Sequence, residues 1–315
     1  MKMEGKLTPL VVDGNPYHSE VIKKTLSEIE GFEIREFRDS KNSPITYWIS
    51  GAPSLFRNIS FWLSNHQLLI MHWIGTDVLY FTGVKKEKGL NLKFYNYIKS
   101  IIIRYKTQKK QIIHLAGAPW LADELSEAGI RSRYFPITTI DPTKLINPNN
   151  HNEKEIDFIS YVPLRDFEFY GGNVIIRLAN KYKNYKFLII HPDVITLEED
   201  HISKYPSNVN VLPKVDFKTM QELYSKSKFF LRFTEHDGLS LSVLEALYFK
   251  LQVLWTYSFP HVYHIKNNDI LIESLPDIVN EWRPNDEGHE YVLNNYSINV
   301  WKKDFSKLIQ DLTKK

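Results

Sequence analysis

The 315-residue sequence contains no cysteine, so disulfides and thiolate metal sites are excluded. It has no apolar run near the ~20 residues a helix needs to cross a bilayer. Charge of one sign is in only small surplus: the net charge is +3, too small by itself to indicate nucleic-acid binding. The first residues, MKMEGKLTPLVVDG, carry no signal-peptide core, so a cytoplasmic protein is expected. What is present is apolar material. Hydrophobic residues make up 43% of the chain and aromatics 14%, ample for folded cores, and the length suits two domains.

Residues 228–260, KFFLRFTEHDGLSLSVLEALYFKLQVLWTYSFP, show the sharpest pattern. The apolar run 229–233 has the length and aromatic content of a buried strand. Asp237 and Gly238 break it, as a turn dipeptide does. Leu241, Leu244, Ala246, Leu247 and Phe249 follow at the spacing of a helix packed on a sheet, and 252–256 reads as another strand. Strand, acidic-glycine turn, helix and strand make one right-handed crossover of a parallel sheet. A helix starting near Ser240 aims unpaired N–H groups and partial positive charge at Asp237 and Gly238, which suits a phosphate. Gly238 lets the backbone approach such a ligand closely. A plainer reading stands beside this one. Asp-Gly is a common turn, and Ser242 with Glu245 has capping-box spacing, which would leave Glu245 bonding only the Ser242 N–H.

Strand and helix patterns alternate through the rest of the chain. The apolar stretch 7–12 ends in Asp13, Gly14, Asn15 and Pro16, followed by Val21, Ile22, Leu26 and Ile29 at helical spacing. Such a glycine-containing loop lies at the ligand-facing edge of many open α/β sheets. Further strands are expected at 32–37, 45–49, 68–73, 111–115 and 131–137, with helices over 55–63, 91–105 and 118–129. In QLLIMHWIGTDV the strand delivers Gly75, Thr76 and Asp77 to its carboxyl end. His72 and Asp77 are able to orient an acceptor hydroxyl or take its proton. Equally, His72 suits a core histidine and Asp77 a helix cap. Residues 141–155, rich in Pro and Asn, read as a linker. Strands at 156–162, 185–190 and 208–212 and helices over 173–182 and 220–227 follow. A last helix over 297–312 has Trp301, Phe305, Leu308 and Leu312 on one face.

Residues 85–110 are the most charge-biased segment. Lys85, Lys86, Lys88, Lys93, Lys99, Arg104, Lys106, Lys109 and Lys110 stand against Glu87 alone. Within it a helix places Leu92, Tyr95, Ile98, Ile102 and Tyr105 on one face. A basic helix with aromatics can lie on an anionic membrane surface; the same pattern also fits a solvated basic rim on a helix packed against the sheet.

The DGLSLSVLEAL segment, with its second acid eight positions after the first, resembles the signature of retaining GT-B glycosyltransferases of the glycosyl-transferases group 1 (family 4-like) type. That resemblance implies an α/β chain of two Rossmann-like domains whose parallel sheets face each other across a cleft. It implies an acceptor-side domain over 1–145, a nucleotide-sugar domain over 146–296 and a terminal helix over 297–315 returning to the first. Asp237 would touch donor-sugar hydroxyls and Glu245 the ribose, with Gly238, Leu239 and Ser240 at the phosphates. Arg165 in PLRDFEFYGG takes the place of the arginine that grips the donor diphosphate. The family's accompanying lysine has no equivalent here, Tyr170 preceding Gly171 and Gly172. Arg232 and Lys266 are the candidates to supply that charge. Lys214 would lie near the nucleotide base, and Gly14, His72, Asp77 and His114 on the first domain's cleft side. The implied reaction moves a sugar from a nucleotide-diphosphate-sugar to a hydroxyl of a glycan, lipid-linked or small-molecule acceptor, with retention. It uses the donor as co-substrate and no cofactor or metal. Two alternatives stay open: an inverting transferase with Asp77 as base, and a catalytically silent sugar-nucleotide-binding protein. His261 and His264 do not make a zinc site, because no third ligand accompanies them. Nucleic acid is not an expected partner.

Overall fold

Among the described residues twelve strands, all paired in parallel, form two six-stranded sheets. The structure is a computed structural model and describes residues 8–35, 45–50, 68–82, 90–109, 112–138, 140–148 and 153–313. The helix expected over 55–63 and the cations Lys85, Lys86, Lys88 and Lys110 lie outside them. Packing divides the chain into two units. One comprises Met1–Thr139, Asp237–Leu239 and Trp301–Lys315; the other comprises Ile140–His236 and Ser240–Val300.

The first unit runs β1 (Thr8–Gly14), α1 (Pro16–Ser27), β2 (Phe32–Arg35), β3 (Ile45–Ile49), β4 (Leu68–Trp73), α2 (Thr76–Thr82), α3 (Leu90–Gln108), β5 (Ile112–Ala116), α4 (Pro119–Glu127) and β6 (Ser132–Tyr134). Its strand order is β2-β1-β3-β4-β5-β6. β3 is buried along its whole length, as expected of a parallel strand covered on both faces. Because neighbouring side chains point to opposite faces, β3 and β4 feed two cores at once. Tyr47, Ile49 and Ile70 join Leu10, Val12, Ile22 and Leu26 on one side. Trp48, Leu69 and Met71 join Ile103, Leu121 and Leu125 on the other. The last helix, α11 (Ile298–Thr313), lays Trp301, Phe305, Leu308 and Ile309 into the first of these cores. Asn15 caps α1 by accepting from the His18 N–H, and Pro16 sits at the first position, where no N–H is needed.

The second unit runs β7 (Ile156–Tyr161), α5 (Gly172–Lys181), β8 (Phe187–Ile190), α6 (Glu199–Ile202), β9 (Val209–Leu212), α7 (Phe217–Ser225), β10 (Ser227–Arg232), α8 (Leu241–Tyr248), β11 (Gln252–Trp255), β12 (Tyr263–His264), α9 (Asn268–Asn280) and α10 (Asp286–Tyr296). Its order is β12-β11-β10-β7-β8-β9. The register sets Phe229, Phe158 and Phe187 side by side across three strands. Their rings stack with Phe158 in the middle, 5.2 Å from Phe229 and 4.8 Å from Phe187. The direction of winding reverses between β7 and β10, so the crevice beyond their carboxyl ends is where such a sheet takes a ligand.

Two local expectations change. The helix face proposed for 91–105 is not the buried one: Ile103 is fully buried, whereas Ile98 is 38% and Tyr105 58% exposed. The capping-box alternative for Glu245 also fails. The N-cap of α8 is Ser240, which puts Ser242 inside the first turn.

Candidate functional site

At the switch point of the second unit, β7 delivers Tyr161 and the loop that leads to α5, and β10 delivers Arg232. The loop is pinned from β8. Asp193 accepts from the Leu164 N–H at 2.7 Å and the Arg165 N–H at 2.9 Å. Burial pushes that carboxyl up, but these donors outweigh it and hold it below the usual carboxylate range. The loop closes on Gly171, whose φ of +77° opens α5; a Cβ there would meet Phe233 at 2.4 Å, so only glycine fits.

Arg165 points outward from this loop, its side chain 77% exposed and its Nε 3.0 Å from Asp166. Arg232 is buried at 8% exposure. Its guanidinium lies 4.9 Å from the ring centroid of Tyr170, and its Nη1 donates to the Tyr161 carbonyl at 3.3 Å. Tyr170, standing where the resemblance would have a lysine, therefore carries a cation on its face. The Tyr224 hydroxyl of α7 is raised well above the ordinary phenol range by burial, then by the charge of Glu245 and by Tyr161, with Arg232 opposing. One guanidinium, one half-buried carboxylate and two further phenols thus share one electrostatic neighbourhood. The Ser240 side chain makes no cap bond and meets Ser242 Oγ at 2.9 Å instead, so the start of α8 is not closed off by a side-chain acceptor. Lys214 and Lys266 are exposed. A separate cavity of about 350 Å³ opens at the amino end of β11, lined by Gln252, His261, Tyr263, Arg283 and Glu287. It is remote from the carboxyl ends of the strands. Among the described residues no group of three or more His, Asp or Glu is placed to hold a metal ion.

In the first unit, three residues expected at the ligand edge are held by the fold. Gly14 has φ +120°, and a Cβ on it would lie 1.9 Å from the Ile49 carbonyl, so close strand packing requires the glycine. His72 is fully buried and paired through Nδ1 with the Tyr47 hydroxyl. Burial lowers its pKa to about 3, so it is neutral and a poor proton acceptor. Asp77 turns its carboxylate into its own turn, accepting from the Gly75 N–H at 2.8 Å and the Ile74 N–H at 3.3 Å. Burial raises its pKa to about 7 against those donors. The Asp237–Leu239 turn packs in this unit. Trp120 Nε1 donates to the Asp237 carbonyl at 2.7 Å, and a Cβ on Gly238 would lie 1.9 Å from the Ile74 carbonyl. The Leu239 side chain packs against the core of Trp48, Val78 and Phe81 rather than toward a ligand, leaving its backbone for that role.

By sequence, no protein-family model and no curated protein matches the chain. By structure, matches are many. Sucrose-phosphate synthase from Thermosynechococcus elongatus superposes with a TM-score of 0.66 at 10% identity, over 94% of this chain and 77% of that one. WaaG, a glycosyltransferase involved in lipopolysaccharide biosynthesis, gives 0.61 at 14% identity over 94% and 98%. The S. aureus TarM G117R mutant, solved with fondaparinux, α-GlcNAc-glycerol and UDP, gives 0.59 at 14% identity over 92% of this chain. The chain spans 58% of that TarM chain's length. This chain has the GT-B fold. Within the GT-B second unit, sequence reasoning named Arg232 and Glu245 but missed Tyr224 and Tyr161. Nothing in their own segments sets these tyrosines apart from core aromatics, and only the strand order brings them to Arg232.

Proposed function

We propose that this chain transfers a sugar from a nucleotide-diphosphate-sugar to an acceptor hydroxyl, with retention of anomeric configuration. The observation that carries the reading is the buried Arg232 guanidinium lying over the Tyr170 ring at the switch-point crevice. Negative charge grows on the diphosphate as the glycosidic bond breaks, and a preorganised cation shielded from water stabilises that charge more than an exposed one would. The uncapped start of α8 adds N–H donors for phosphate oxygens. Glu245, freed from the capping-box role, holds the ribose, Asp237 the donor-sugar hydroxyls, and Arg165 offers a second guanidinium from the pinned loop. With these charges the reading needs no metal.

The acid spacing of Asp237 and Glu245, which resembles the retaining group, supports retention. So does the state of the two base candidates, since His72 is too weakly basic and the Asp77 oxygens already accept backbone N–H groups. A pKa of about 7 is the one property of Asp77 that favours the inverting alternative. The acceptor is a glycan, lipid-linked or small-molecule hydroxyl, and a peripheral membrane contact through 85–110 belongs to this reading.

The test is a thermal-shift screen against UDP-, GDP- and dTDP-sugars, followed by transfer assays with the binding donor, with and without EDTA. A ligand that binds only the folded state raises its melting temperature. Binding and EDTA-insensitive transfer, with the donor's anomeric configuration in the NMR spectrum of the product, are expected. Binding without transfer to any acceptor would make this a silent sugar-nucleotide-binding protein. An inverted product, lost in Asp77→Asn, would make Asp77 the base.

A further inference from the structure

Deep in the second unit, the phenol of Tyr224 has one proton to donate and a narrow choice of acceptors. Tyr224, on α7, is 1% exposed. Its ring is clamped: it stacks on Phe249 at 5.7 Å between centroids and 24° between planes, and meets Phe230 edge-on at 5.9 Å. Packing therefore aims the hydroxyl, and it aims it at the first turn of α8. The Ser242 carbonyl there lies 3.5 Å away, well beyond the ~2.7–2.8 Å of a good O–H···O bond. A carbonyl inside a helix also accepts the N–H four residues on. A buried hydroxyl left without a good acceptor is destabilising, so a better one is needed.

Glu245 supplies it. It stands three residues after Ser242, on the same face of α8. Helix side chains lean toward the N-terminus, so its carboxylate returns over the turn that Tyr224 faces. Burial is the first cause that holds the phenol above its ordinary range; the charge of Glu245 comes next, and the carboxylate also accepts the O–H. A bond from a phenol to an ionised carboxylate is charge-assisted, and stronger than one to a carbonyl. α8 is fixed in turn by Val243, Leu244 and Leu247, all fully buried, so both ends of the contact stand on packed helices. Glu245 itself is half-buried, and its two oxygens offer about four acceptor sites, of which the phenol occupies one. We infer that Tyr224 is a positioning residue for the donor's ribose, its hydroxyl holding the Glu245 carboxylate in the orientation that accepts the ribose hydroxyls. The inference rests on the transferase reading, in which Glu245 meets the ribose, and adds a residue to that contact. Fixing a free glutamate side chain on binding weakens affinity by roughly tenfold. With Tyr224 in place the ordering is complete before the nucleotide arrives.

The experiment is calorimetric titration of the parent, Tyr224→Phe, Glu245→Ala and the double variant with UDP, GDP and dTDP, each beside its 2′,3′-dideoxy form. Tyr224→Phe keeps the ring contacts, so its melting temperature should stay within about 4 °C of the parent's. The parent should prefer the hydroxylated nucleotide by about tenfold or more. Tyr224→Phe should weaken that nucleotide by about fivefold or more and the dideoxy form by less than about twofold, because only ribose hydroxyls engage Glu245. In the Glu245→Ala background the same change should have an effect below about twofold, since its coupled acceptor is gone. An equal loss for both nucleotide forms, or an undiminished loss in the absence of Glu245, would make Tyr224 a packing residue; either overturns the inference and leaves the transferase reading standing. A parent that binds none of the three nucleotides overturns that reading and the inference with it.

Discussion

Replacing Arg232 by glutamine is expected to separate the fold from the phosphate chemistry. The folded chain loses the stacking of the guanidinium on Tyr170, worth about 0.5–2 kcal/mol. It also exchanges a charged bond to the Tyr161 carbonyl, already long at 3.3 Å, for a neutral amide bond, a loss of about 1 kcal/mol. Against this, a buried cation no longer has to be desolvated, which offsets several kcal/mol in favourable cases. The net change in stability is then about 1 kcal/mol in either direction, a shift of roughly 2–4 °C for a unit of this size.

A bound diphosphate has no such compensation. It loses a charge-assisted partner worth about 1.5–3 kcal/mol, which is roughly 10- to 150-fold in affinity. Calorimetric titration of the nucleoside diphosphate that stabilises the parent, beside thermal melts, reads both quantities. Arg232→Lys keeps the charge but not the planar fork, and it should recover binding only in part. Equal affinity of Arg232→Gln and parent, with a melting temperature lowered well beyond that range, would refute the reasoning and make Arg232 a structural strut between β10 and the 162–171 loop.

Glu245→Gln should lower nucleotide affinity by about tenfold or more without lowering the melting temperature, because one carboxylate–hydroxyl bond to the ribose is weakened; a lowered melt with unchanged affinity would return Glu245 to a structural role. Gly14→Ala forces a Cβ to within 1.9 Å of the Ile49 carbonyl at φ +120°, and circular-dichroism melts should show a loss exceeding about 2 kcal/mol. Acidification should also destabilise the first unit. Burial holds His18, His72 and His114 at about 4, 3 and 4, below their unfolded value of 6.5, so the unfolded chain takes up protons first and stability falls as pH drops from about 6.5 towards 4. Asp77 works the other way, since its folded pKa of about 7 lies above the unfolded value and its contribution is lost as pH rises from about 4 to 7. Asp77→Asn should therefore steepen the acid loss measured by melts across that window, and an unchanged slope would mean that the carboxyl is not enclosed.

The fold is legible where a strand is a short apolar run punctuated by Gly, Asn or Pro, as at 68–73 and 229–233, whereas the two-residue β12 carries no such run and escapes a reading of the sequence. What misled was local ambiguity. In α3, Tyr and Ile lie on more than one face, so spacing alone chose the face of Ile98 and Tyr105 when the fold buries Ile103. Ser240 and Ser242 are both fit to start α8, and the backbone, extended at Ser240, decides for the earlier one. The sequence places Gly14 at a ligand edge and leaves His72 between a ligand and a core role, because the carboxyl ends of parallel strands carry function, yet the same positions also carry the closest packing between neighbouring strands. Sequence supplies the residue and its distance along the strand. Whether its atoms face the ligand or the next strand depends on register, which no single segment contains.

The switch-point crevice of the second unit shows the same limit from the other side. The sequence displays a missing lysine at Tyr170 and an unexplained arginine inside the apolar strand KFFLRF, and nothing local connects them. Strand order connects them, because β7 and β10 are neighbours and the loop after one passes over the end of the other. A cation borne on a strand end and held over an aromatic ring differs physically from one on a flexible loop lysine. Its rotamers are already restricted by Tyr170 and the Tyr161 carbonyl, so less freedom is lost when phosphate binds. Its charge also sits in lower dielectric, where an interaction with the departing diphosphate of the proposed reaction would be strengthened. If the proposed transferase reading holds, the missing lysine at Tyr170 is a relocation of charge to a stiffer support, rather than a loss of it.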